Sequence, residues 1–375
     1  MFEWRSHNPV TIHFGSGIIN NLSDFGSGKA ILITTSGSTR RGLSRKVSKL
    51  IGTSLVAIFD RVEPNPTFAT IALAYRELKQ LEYDFIIAVG GGSAVDTAKA
   101  VATHDAVEDD GALREVLKSG VDIPVDFDPK PVVAVPTTAG TGSEVTRWAT
   151  IWDTKEKKKY SLSHPRLYPE TALLDPQLTL TLPEKETVYA GLDALSHAME
   201  AIWNKNHNPV SDMFALSAIE LIRKYLPELR HNLGNIDLRA ALLRASLFAG
   251  LAFSNTKTAI AHSISYPLTA NFGIPHGLAC ALPLPHVLRF NGKKDINRIG
   301  VMAEALGASR SSESMAKEVM RLFDQLDIAH HLADYGIDNN YKALISKSAF
   351  TPGRADNNII ELNSADIANL IDQLL

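Results

Sequence analysis

The sequence predicts a doubly wound α/β domain over residues 1–182, followed by a helical domain over residues 183–375. The length of 375 residues favours more than one domain, because a domain usually holds about 100–200 residues. In the first half, short apolar β-branched runs alternate with helical periodicity, which is typical of a parallel sheet with helical crossovers. In the second half, apolar residues recur at intervals of three and four, as at Ala215, Ile219 and Ile222, and strand signals nearly vanish.

The predicted sheet is formed by apolar runs that do not alternate with polar residues. These runs are residues 30–34, 55–59, 85–89 and 132–135. Because such strands are usually buried on both faces, helices are expected to cover both sides of the sheet. A further run over residues 171–174 ends at Asp175-Pro176, and Pro183 follows, so these prolines predict the boundary between the domains.

Composition and charge exclude several classes of partner. Lys and Arg total 38 against 41 Asp and Glu, a net charge of −3 that is too balanced to favour nucleic acid or an anionic membrane. No run approaches the roughly 20 apolar residues of a membrane span. The single cysteine, Cys280, cannot form an intrachain disulfide, so we expect a reducing compartment and a cytoplasmic protein.

Two small-residue loops follow predicted strands. Gly90-Gly91-Gly92 leads into a predicted helix, whose N-terminus offers backbone N–H groups and partial positive charge to a pyrophosphate. The pattern is neither GxGxxG nor a Walker A motif, and three glycines can also mark a tight turn. The second loop, residues 136–144, follows another strand, and ligands of open sheets bind at the carboxyl ends of the strands. Two such loops at one edge favour a dinucleotide cleft.

The second half contains a set of residues that could bind a metal. Asp193 and His197 are four apart on a predicted helix and therefore share one face. His262 lies in an apolar helical stretch, and His276 lies on a predicted loop between Pro275 and Gly277. Each histidine alone could be a core or surface residue. Together the four offer one carboxylate oxygen and three imidazole nitrogens, which suit a divalent transition metal.

The motifs together resemble the iron-containing, or group III, alcohol dehydrogenases, and the resemblance covers essentially the whole chain. The matching segments are residues 10–15, the turn at 63–66, GGGSAVDTAK at 90–99, PTTAGTGSE at 136–144, GLDALSHAME at 191–200 and PHG at 275–277. The resemblance implies an α/β N-terminal dinucleotide-binding domain with a parallel sheet and an all-α C-terminal metal-binding domain, the dehydroquinate synthase-like architecture. It places the active site in the cleft between the two domains.

The resemblance also implies roles for individual residues. The implied metal ligands are Asp193, His197, His262 and His276. The implied cofactor-binding residues are Thr35, Asn65, Gly91, Gly92, Ser93, Asp96, Thr137, Thr138, Thr141 and Lys159. Fe(II), or alternatively Zn(II), would polarise the carbonyl of an aldehyde while NAD(H) or NADP(H) exchanges a hydride with it, so no catalytic group beyond the metal site is required. Homodimers are common in the family, and we expect one here.

Two departures from the family pattern carry information. Many members have a second histidine four residues after His262, where this chain has Tyr266, a side chain that is neutral near pH 7. NAD-preferring relatives often have an aspartate where this chain has Thr35. Without that carboxylate, and with Arg40 and Arg41 close by, the chain is expected to tolerate the 2′-phosphate of NADP(H), unless both arginines are simply exposed.

Two cations border the substrate region of relatives, Arg147 and Lys257. A cation in a desolvated cleft is costly unless it meets an anion, so the pair predicts a negatively charged substrate. Tyr266 is also expected to bind the substrate. Segments 39–42 and 263–269 resemble the phosphonoacetaldehyde reductase branch, also called 2-hydroxyethylphosphonate dehydrogenases. We therefore expect reduction of phosphonoacetaldehyde to 2-hydroxyethylphosphonate.

Three alternatives remain open from the sequence. If Arg147 and Lys257 face solvent or internal carboxylates, the substrate is a simple aldehyde or primary alcohol. Dehydroquinate synthases share the architecture but are lyases that recycle bound NAD, so they show no net change in the nicotinamide. A metal-binding or assembly protein without enzymatic activity would require both glycine loops to be mere turns.

Overall fold

The computed structural model describes residues 3–103, 110–119, 123 and 127–375, in which the chain forms two compact units. The α/β unit comprises Asn8–Thr138 and Gly142–Thr181. The helical unit comprises Leu182–Leu375 with Ala139–Thr141 and the N-terminal residues up to His7. These units differ from the predicted domains, 1–182 and 183–375, mainly at the N-terminus and at residues 139–141. Sequence periodicity carries no signal for such short segments, because it reports local structure and not contacts.

The α/β unit is built on a parallel sheet. The strands among the described residues are β1 (Thr11–Phe14), β2 (Ala30–Thr34), β3 (Leu55–Phe59), β4 (Phe85–Gly90), β5 (Val132–Pro136), β6 (Trp148–Asp153), β7 (Lys158–Ser163) and β8 (Thr171–Leu174). The sheet has the order β1-β8-β5-β4-β2-β3, and all its neighbouring strands are parallel. β6 and β7 form a separate antiparallel pair. The lysine-rich run 155–159 was expected to form a turn between strands; its first three residues do so, and its last two belong to β7.

The predicted burial of the sheet holds for its central strands. β2, β4, β5 and β8 are buried along their whole length, as unbroken apolar runs predict. The prediction is wrong for β3, where Val56 and Ile58 are 37% and 43% exposed. β3 is an edge strand with one neighbour, and its inward and outward residues alternate in burial because fewer elements cover it.

The strand order creates a switch point beside β2. The chain runs from β2 to β3 on one side of it and then returns to β4 on the other side. In open α/β sheets, ligands bind in the crevice that such a reversal leaves at the carboxyl ends of the strands. Thr35 follows β2, and the glycines 90–92 close β4 and open the next helix.

The helices of the α/β unit are α1 (Ser36–Arg40), α2 (Leu43–Ile51), α3 (Phe68–Leu78), α4 (Gly92–Ala102) and α5 (Asp110–Ser119). Those of the helical unit are α6 (Glu184–Ile202), α7 (Pro209–His231), α8 (Ile236–Thr256), α9 (Ile260–Phe272), α10 (His276–Ala281), α11 (Leu284–Lys294), α12 (Ile296–Ile299), α13 (Ala303–Leu306), α14 (Ser312–Gln325), α15 (Lys342–Ser348) and α16 (Ser364–Leu374). The expected all-α character of the second half is confirmed.

Local sequence signals explain the long helices α6 to α8. α6 begins directly after Pro183, and α7 begins at Pro209, where the Asn208 side chain accepts from the backbone N–H groups of Val210 and Ser211. The apolar stripe of α7 is buried, including Ala215, Ile219 and Ile222, from which the helix was predicted. Although α7 spans 23 residues and α8 spans 21, no helix in the described ranges combines the length and apolarity that crossing a bilayer requires.

One local prediction fails at a residue of interest. His276 was expected on a loop, but it is the first residue of α10. Pro275 immediately before it is extended, with φ −52° and ψ 136°, and the helix starts at the next residue. Because Pro275 and Gly277 favour a loop, the sequence did not predict this short helix. Gly277 is required there because a Cβ at this position would lie 2.0 Å from the carbonyl oxygen of Tyr189 on α6.

Candidate functional site

The glycine loop after β4 exposes the start of α4. Gly91 precedes the helix, and no side chain caps it. A Cβ at Gly91 would lie 3.2 Å from the side chain of Thr138, and one at Gly90 would lie 2.6 Å from the Cβ of Ala94. Since the first N–H groups of a helix lack partners within the helix, this N-terminus can donate to a phosphate.

Other residues predicted to bind the cofactor surround the same helix start. The backbone N–H of Thr137 donates to the carbonyl of Gly90 at 2.9 Å, and that of Asn65 donates to the Ser93 hydroxyl at 3.2 Å. A methyl carbon of Thr35 lies 3.8 Å from the position a Cβ would take at Gly90. The α/β unit thus gathers Thr35, Asn65, Gly91, Gly92, Ser93, Thr137 and Thr138 at one end of its sheet. Thr141 belongs to the helical unit.

Asp96 is tied to the second loop. Its Oδ1 accepts from the Ser143 hydroxyl at 2.5 Å, and its Oδ2 accepts from the backbone N–H of Thr150 at 2.8 Å. Burial raises the pKa of Asp96, while the nearby charge of Lys99 opposes that rise. The structure therefore shows Asp96 holding the loop against α4, and contact of Asp96 with a nucleotide remains a prediction.

A buried lysine and a buried glutamate accompany this loop. Lys99 Nζ donates to the carbonyl oxygens of Ser143 and Trp148 at 2.6 and 2.8 Å. Burial lowers the pKa of Lys99 to about 8 and raises the pKa of Glu144 to about 7. Among the described residues, Glu144 Oε1 has no hydrogen-bond partner. The loop thus contains a carboxyl group that keeps its proton up to about neutral pH.

The remaining predicted residues of the α/β unit are cations. Lys159 Nζ lies 6.0 Å from the ring of Trp152, and its charge is one of the smaller effects that oppose the rise in the pKa of Asp96. The guanidinium of Arg147 lies 5.8 Å from the ring of Trp148. Arg41 donates to the Ser38 hydroxyl at 3.3 Å and is exposed, as is Arg40.

The candidate metal site lies in the helical unit. Asp193 and His197 are on α6, His262 is on α9 and His276 begins α10. One potential donor atom from each of Asp193, His262, His276 and Cys280 lies within 4.8 Å of the others. His197 lies beside this group, with Nδ1 4.0 Å from Asp193 Oδ1 and its ring centroid 4.5 Å from that of His262.

The donor atoms fit a cation. Asp193 Oδ1 and His262 Nε2 lie 3.6 Å apart, and neither has a hydrogen-bond partner in the described part of the chain. Both residues are buried, at 4% and 2% exposure, where unsatisfied polar atoms are costly. Burial raises the pKa of Asp193, but the facing histidines, His197 first, lower it more, so it lies below its usual range. A divalent ion between these atoms would satisfy them.

Glu200, on the same helix as Asp193, orients one of the donors. Its Oε2 lies 2.5 Å from His262 Nδ1, and its Oε1 accepts from the backbone N–H of His262 at 3.0 Å. An imidazole that donates from Nδ1 presents the lone pair of Nε2 to a metal. Glu200 is fully buried and therefore holds this geometry without competition from water.

Tyr266 connects the metal donors to a further cation. Its ring stacks near His276, with centroids 6.3 Å apart, and its hydroxyl accepts from Arg354 Nε at 3.3 Å. Lys257, the other predicted cation of this unit, follows α8 with a left-handed backbone, φ 69°, and is half-buried.

Sequence reasoning missed three residues of this site: Glu200, Cys280 and Arg354. Glu200 is seven residues after Asp193, which is two helical turns and so the same face. Cys280 is four residues after His276, but His276 was assigned to a loop, so the helical spacing went unused. Arg354 lies far along the chain outside any motif, and no signal in the sequence points to it.

Known protein families match the chain in two parts, one in its N-terminal half and one in its C-terminal half. Residues 9–176 match the family described as "Iron-containing alcohol dehydrogenase", and residues 187–375 match "Fe-containing alcohol dehydrogenase family, C-terminal". An NADPH-dependent butanol dehydrogenase of Clostridium saccharobutylicum is 32% identical over 97% of this chain and 96% of its own length. An NAD-dependent methanol dehydrogenase of Bacillus methanolicus is 34% identical over 94% of each chain.

A solved structure is also similar over its full length. The sulfoacetaldehyde reductase of Bifidobacterium kashiwanohense, in complex with NAD+, has a TM-score of 0.93 and 30% identity, and covers 100% of this chain and 99% of its own. The fold and these matches define an oxidoreductase acting on CH–OH groups. The chain belongs to the iron-containing alcohol dehydrogenase family and is an NAD(P)-linked, metal-dependent alcohol or aldehyde dehydrogenase. This assignment sets aside the lyase and non-enzymatic alternatives.

Proposed function

We propose that this enzyme reduces an aldehyde that carries an anionic group on the neighbouring carbon, specifically phosphonoacetaldehyde, to give 2-hydroxyethylphosphonate. The observation that carries the proposal is Arg354, whose Nε contacts the hydroxyl of Tyr266 while the ring of Tyr266 stacks near His276. A guanidinium matches the oxygens of a phosphonate with paired N–H donors. Lys257 supplies a second cation in the same unit, and Arg147 is the predicted cation of the α/β unit.

The similarity to a sulfoacetaldehyde reductase supports the same class of substrate. Sulfoacetaldehyde is an aldehyde with an anionic sulfonate on the carbon next to the carbonyl. A phosphonate occupies the same place in phosphonoacetaldehyde and differs mainly in charge. An anion-binding side chain near the metal donors would bind either substrate. The similarity therefore supports an aldehyde with an anionic group as the substrate class, and it does not itself select a phosphonate over a sulfonate.

We assign the cofactors to the two predicted domains. The domain of residues 183–375 would hold the metal through Asp193, His197, His262 and His276. The domain of residues 1–182 would hold the dinucleotide through the start of α4 and the threonines around it, together with Asp96 and Lys159. When bound, the metal supplies Lewis acidity toward the carbonyl oxygen and the nicotinamide supplies or accepts the hydride.

The side chains around the metal donors then have distinct tasks. Glu200 fixes the ring of His262 so that Nε2 faces the ion. Tyr266 stands where many relatives have a histidine, and its neutral hydroxyl positions the substrate by a hydrogen bond and not by charge. Arg354 and Lys257 neutralise the anionic group of the substrate.

Dehydrogenation of simple primary alcohols is the second candidate. It is favoured by the curated relatives, which include a butanol dehydrogenase and a methanol dehydrogenase at 32% and 34% identity. In that case the cations contribute to folding or solubility and not to substrate binding.

Substitution of the cations separates the two candidates. We expect Arg147→Gln, Lys257→Gln and Arg354→Gln each to raise KM for phosphonoacetaldehyde by about tenfold or more, because each removes a charged hydrogen bond. KM for propionaldehyde should stay within about twofold, since no charge is involved. Arg244→Gln, at an exposed position of α8, is the matched control. Equal effects on both aldehydes would overturn the anionic-substrate proposal and leave the dehydrogenase assignment intact.

We also propose a cytoplasmic location and a homodimer. The single cysteine supports a reducing compartment, because the fold is built without a disulfide. Light scattering of the purified protein tests the oligomeric state, and a mass near 40.8 kDa would contradict the dimer.

A further inference from the structure

Cys280 lies among the metal donors and not beside them. Its Sγ is 3.7 Å from both ring nitrogens of His276, and it lies within 4.8 Å of a donor atom of Asp193 and of His262. The short helix α10 places His276 and Cys280 four residues apart, so the two side chains share one face. Cys280 is fully buried.

A second observation shows that the space next to Cys280 is built for a ligand. Asp193 Oδ1 and His262 Nε2 are buried, lack hydrogen-bond partners within the described residues, and face the same group of atoms. Glu200 fixes His262 in the orientation that presents Nε2 to this space. A cation bound by these two atoms and by His276 would therefore be within reach of the sulfur.

We propose that Cys280 is itself a ligand of the metal, as a thiolate. This inference rests on the metal site proposed above and extends it with a donor that the family motifs do not include. When the ion binds, the S–H bond of Cys280 breaks, its proton passes to solvent, and a metal–sulfur bond forms without any change in oxidation state. The donor set becomes one oxygen, imidazole nitrogens and one soft sulfur.

The thiolate changes which metals the site prefers. Soft sulfur ligands favour Zn(II) and Co(II) over metals that prefer oxygen, so a Cys280→Ser variant should lose affinity for Zn(II) by about 10-fold or more. The same substitution should affect Mn(II) less, because Mn(II) gains little from a thiolate. Competition with a chromophoric chelator measures both affinities in the absence of any substrate.

Cobalt substitution of the full chain tests the sulfur bond directly. A thiolate bound to Co(II) gives an intense ligand-to-metal charge-transfer band in the near ultraviolet, in addition to the weak visible bands of the ion. Cys280 is the only cysteine, so any such band identifies it. We expect the band in the wild-type protein and its loss in Cys280→Ser and Cys280→Ala, with the visible bands retained. His330→Ala, a histidine that pairs with Asp324 outside the site, should keep the full spectrum.

The possible failures are distinguishable. Visible Co(II) bands without charge transfer in the wild-type protein would overturn ligation by Cys280 and leave the metal site in place. Absence of both features would mean that the helical unit does not bind the ion, and the proposed metal site would fall together with this inference. Because the wild-type spectrum decides the question alone, poor folding of either variant does not affect the test.

Discussion

His262 Nδ1 lies 2.5 Å from Glu200 Oε2, and the backbone N–H of His262 donates to Glu200 Oε1 at 3.0 Å. One buried carboxylate therefore holds both the ring and the main chain of a residue that offers a donor atom to the metal. Burial raises the pKa of Glu200, but the charge and hydrogen bonds of His262 lower it more, and the net pKa is below its usual range. The helices α6 and α9 are therefore joined at the point where the donors converge.

Glu200→Ala should weaken metal binding by about 10- to 100-fold, because it removes the group that fixes the tautomer and orientation of His262. Glu200→Gln should cause a loss of affinity at the lower end of that range, since glutamine keeps a hydrogen-bond acceptor but lacks the negative charge. Chelator competition with Zn(II) measures the effect. Glu220→Gln, at an exposed position of α7, is the control, and an equal loss there would contradict the positioning role.

Asp193→Asn and His262→Ala should both abolish stoichiometric metal binding. The first removes the negative charge from the donor Asp193 Oδ1 and the second removes the donor His262 Nε2, two buried atoms that have no hydrogen-bond partner in the described structure. Metal analysis after gel filtration, together with reductase activity, measures this outcome. His330→Ala should retain both metal and activity. Full metal content in either of the first two variants would show that the ion binds elsewhere.

Thr35→Asp should shift the enzyme toward NAD(H). A carboxylate after β2 repels a 2′-phosphate, and we expect KM for NADPH to rise about 10- to 100-fold while KM for NADH changes little or falls. Arg41 is exposed but donates to Ser38 on α1, the helix that follows Thr35, so Arg41→Ala should also raise KM for NADPH. Arg45→Ala, at an exposed position of α2, should not. Steady-state kinetics with both dinucleotides decides; if KM for NADPH is unaffected by Thr35→Asp, the 2′-phosphate lies elsewhere.

Glu144 should make stability fall as pH rises toward neutrality. Burial raises its pKa from 4.5 in the unfolded chain to about 7, so the folded state binds this proton more tightly. Its contribution to the free energy of unfolding is therefore present in full below the unfolded pKa and is lost as pH rises through about 7. The total loss is at most about 3 kcal/mol. Urea midpoints at mildly acidic and mildly alkaline pH should differ less for Glu144→Gln than for the wild type. Parallel pH profiles would contradict this account.

Gly277→Ala should destabilise the helical unit and displace His276. The new Cβ would lie 2.0 Å from the carbonyl oxygen of Tyr189, a backbone atom that cannot move aside without shifting α6. Overpacking of this kind costs about 1–3 kcal/mol or more. Thermal unfolding should show a lower Tm and weaker metal binding. Gly234→Ala, where a Cβ meets nothing within 4 Å, should leave both nearly unchanged.

Local patterns in the sequence predicted the parts of the fold that depend on local physics. The strands β2 to β5 were found because each is an unbroken apolar run, and β2, β4 and β5 are buried throughout, as such runs predict. The start of α4 was found because glycines precede it. The exposure of β3 was missed, since a strand's place at the edge of a sheet is not encoded in its own residues. The assignment of Ala139–Thr141 to the helical unit was missed because it depends on packing such as that of Gly140 against Ala190.

The candidate site shows the same contrast. Asp193 and His197 were predicted from helical spacing, and His262 and His276 from their motifs. Cys280 was missed because Pro275 and Gly277 favoured a loop at His276, and the helix that aligns Cys280 with His276 was therefore not predicted. Arg354 was missed because nothing in the sequence indicates that it contacts Tyr266, which lies 88 residues earlier in the chain.

A competition assay tests the central claim most directly. Equal concentrations of phosphonoacetaldehyde and propionaldehyde are given to the iron-loaded wild-type enzyme with limiting NADPH and, separately, NADH, and the two alcohol products are quantified by NMR. Because the substrates compete for one enzyme, the product ratio equals the ratio of their kcat/KM values. The account predicts at least about tenfold more 2-hydroxyethylphosphonate than propanol, as expected for a charged pairing that only one substrate makes. Equal or greater formation of propanol would contradict it and identify a dehydrogenase of simple alcohols.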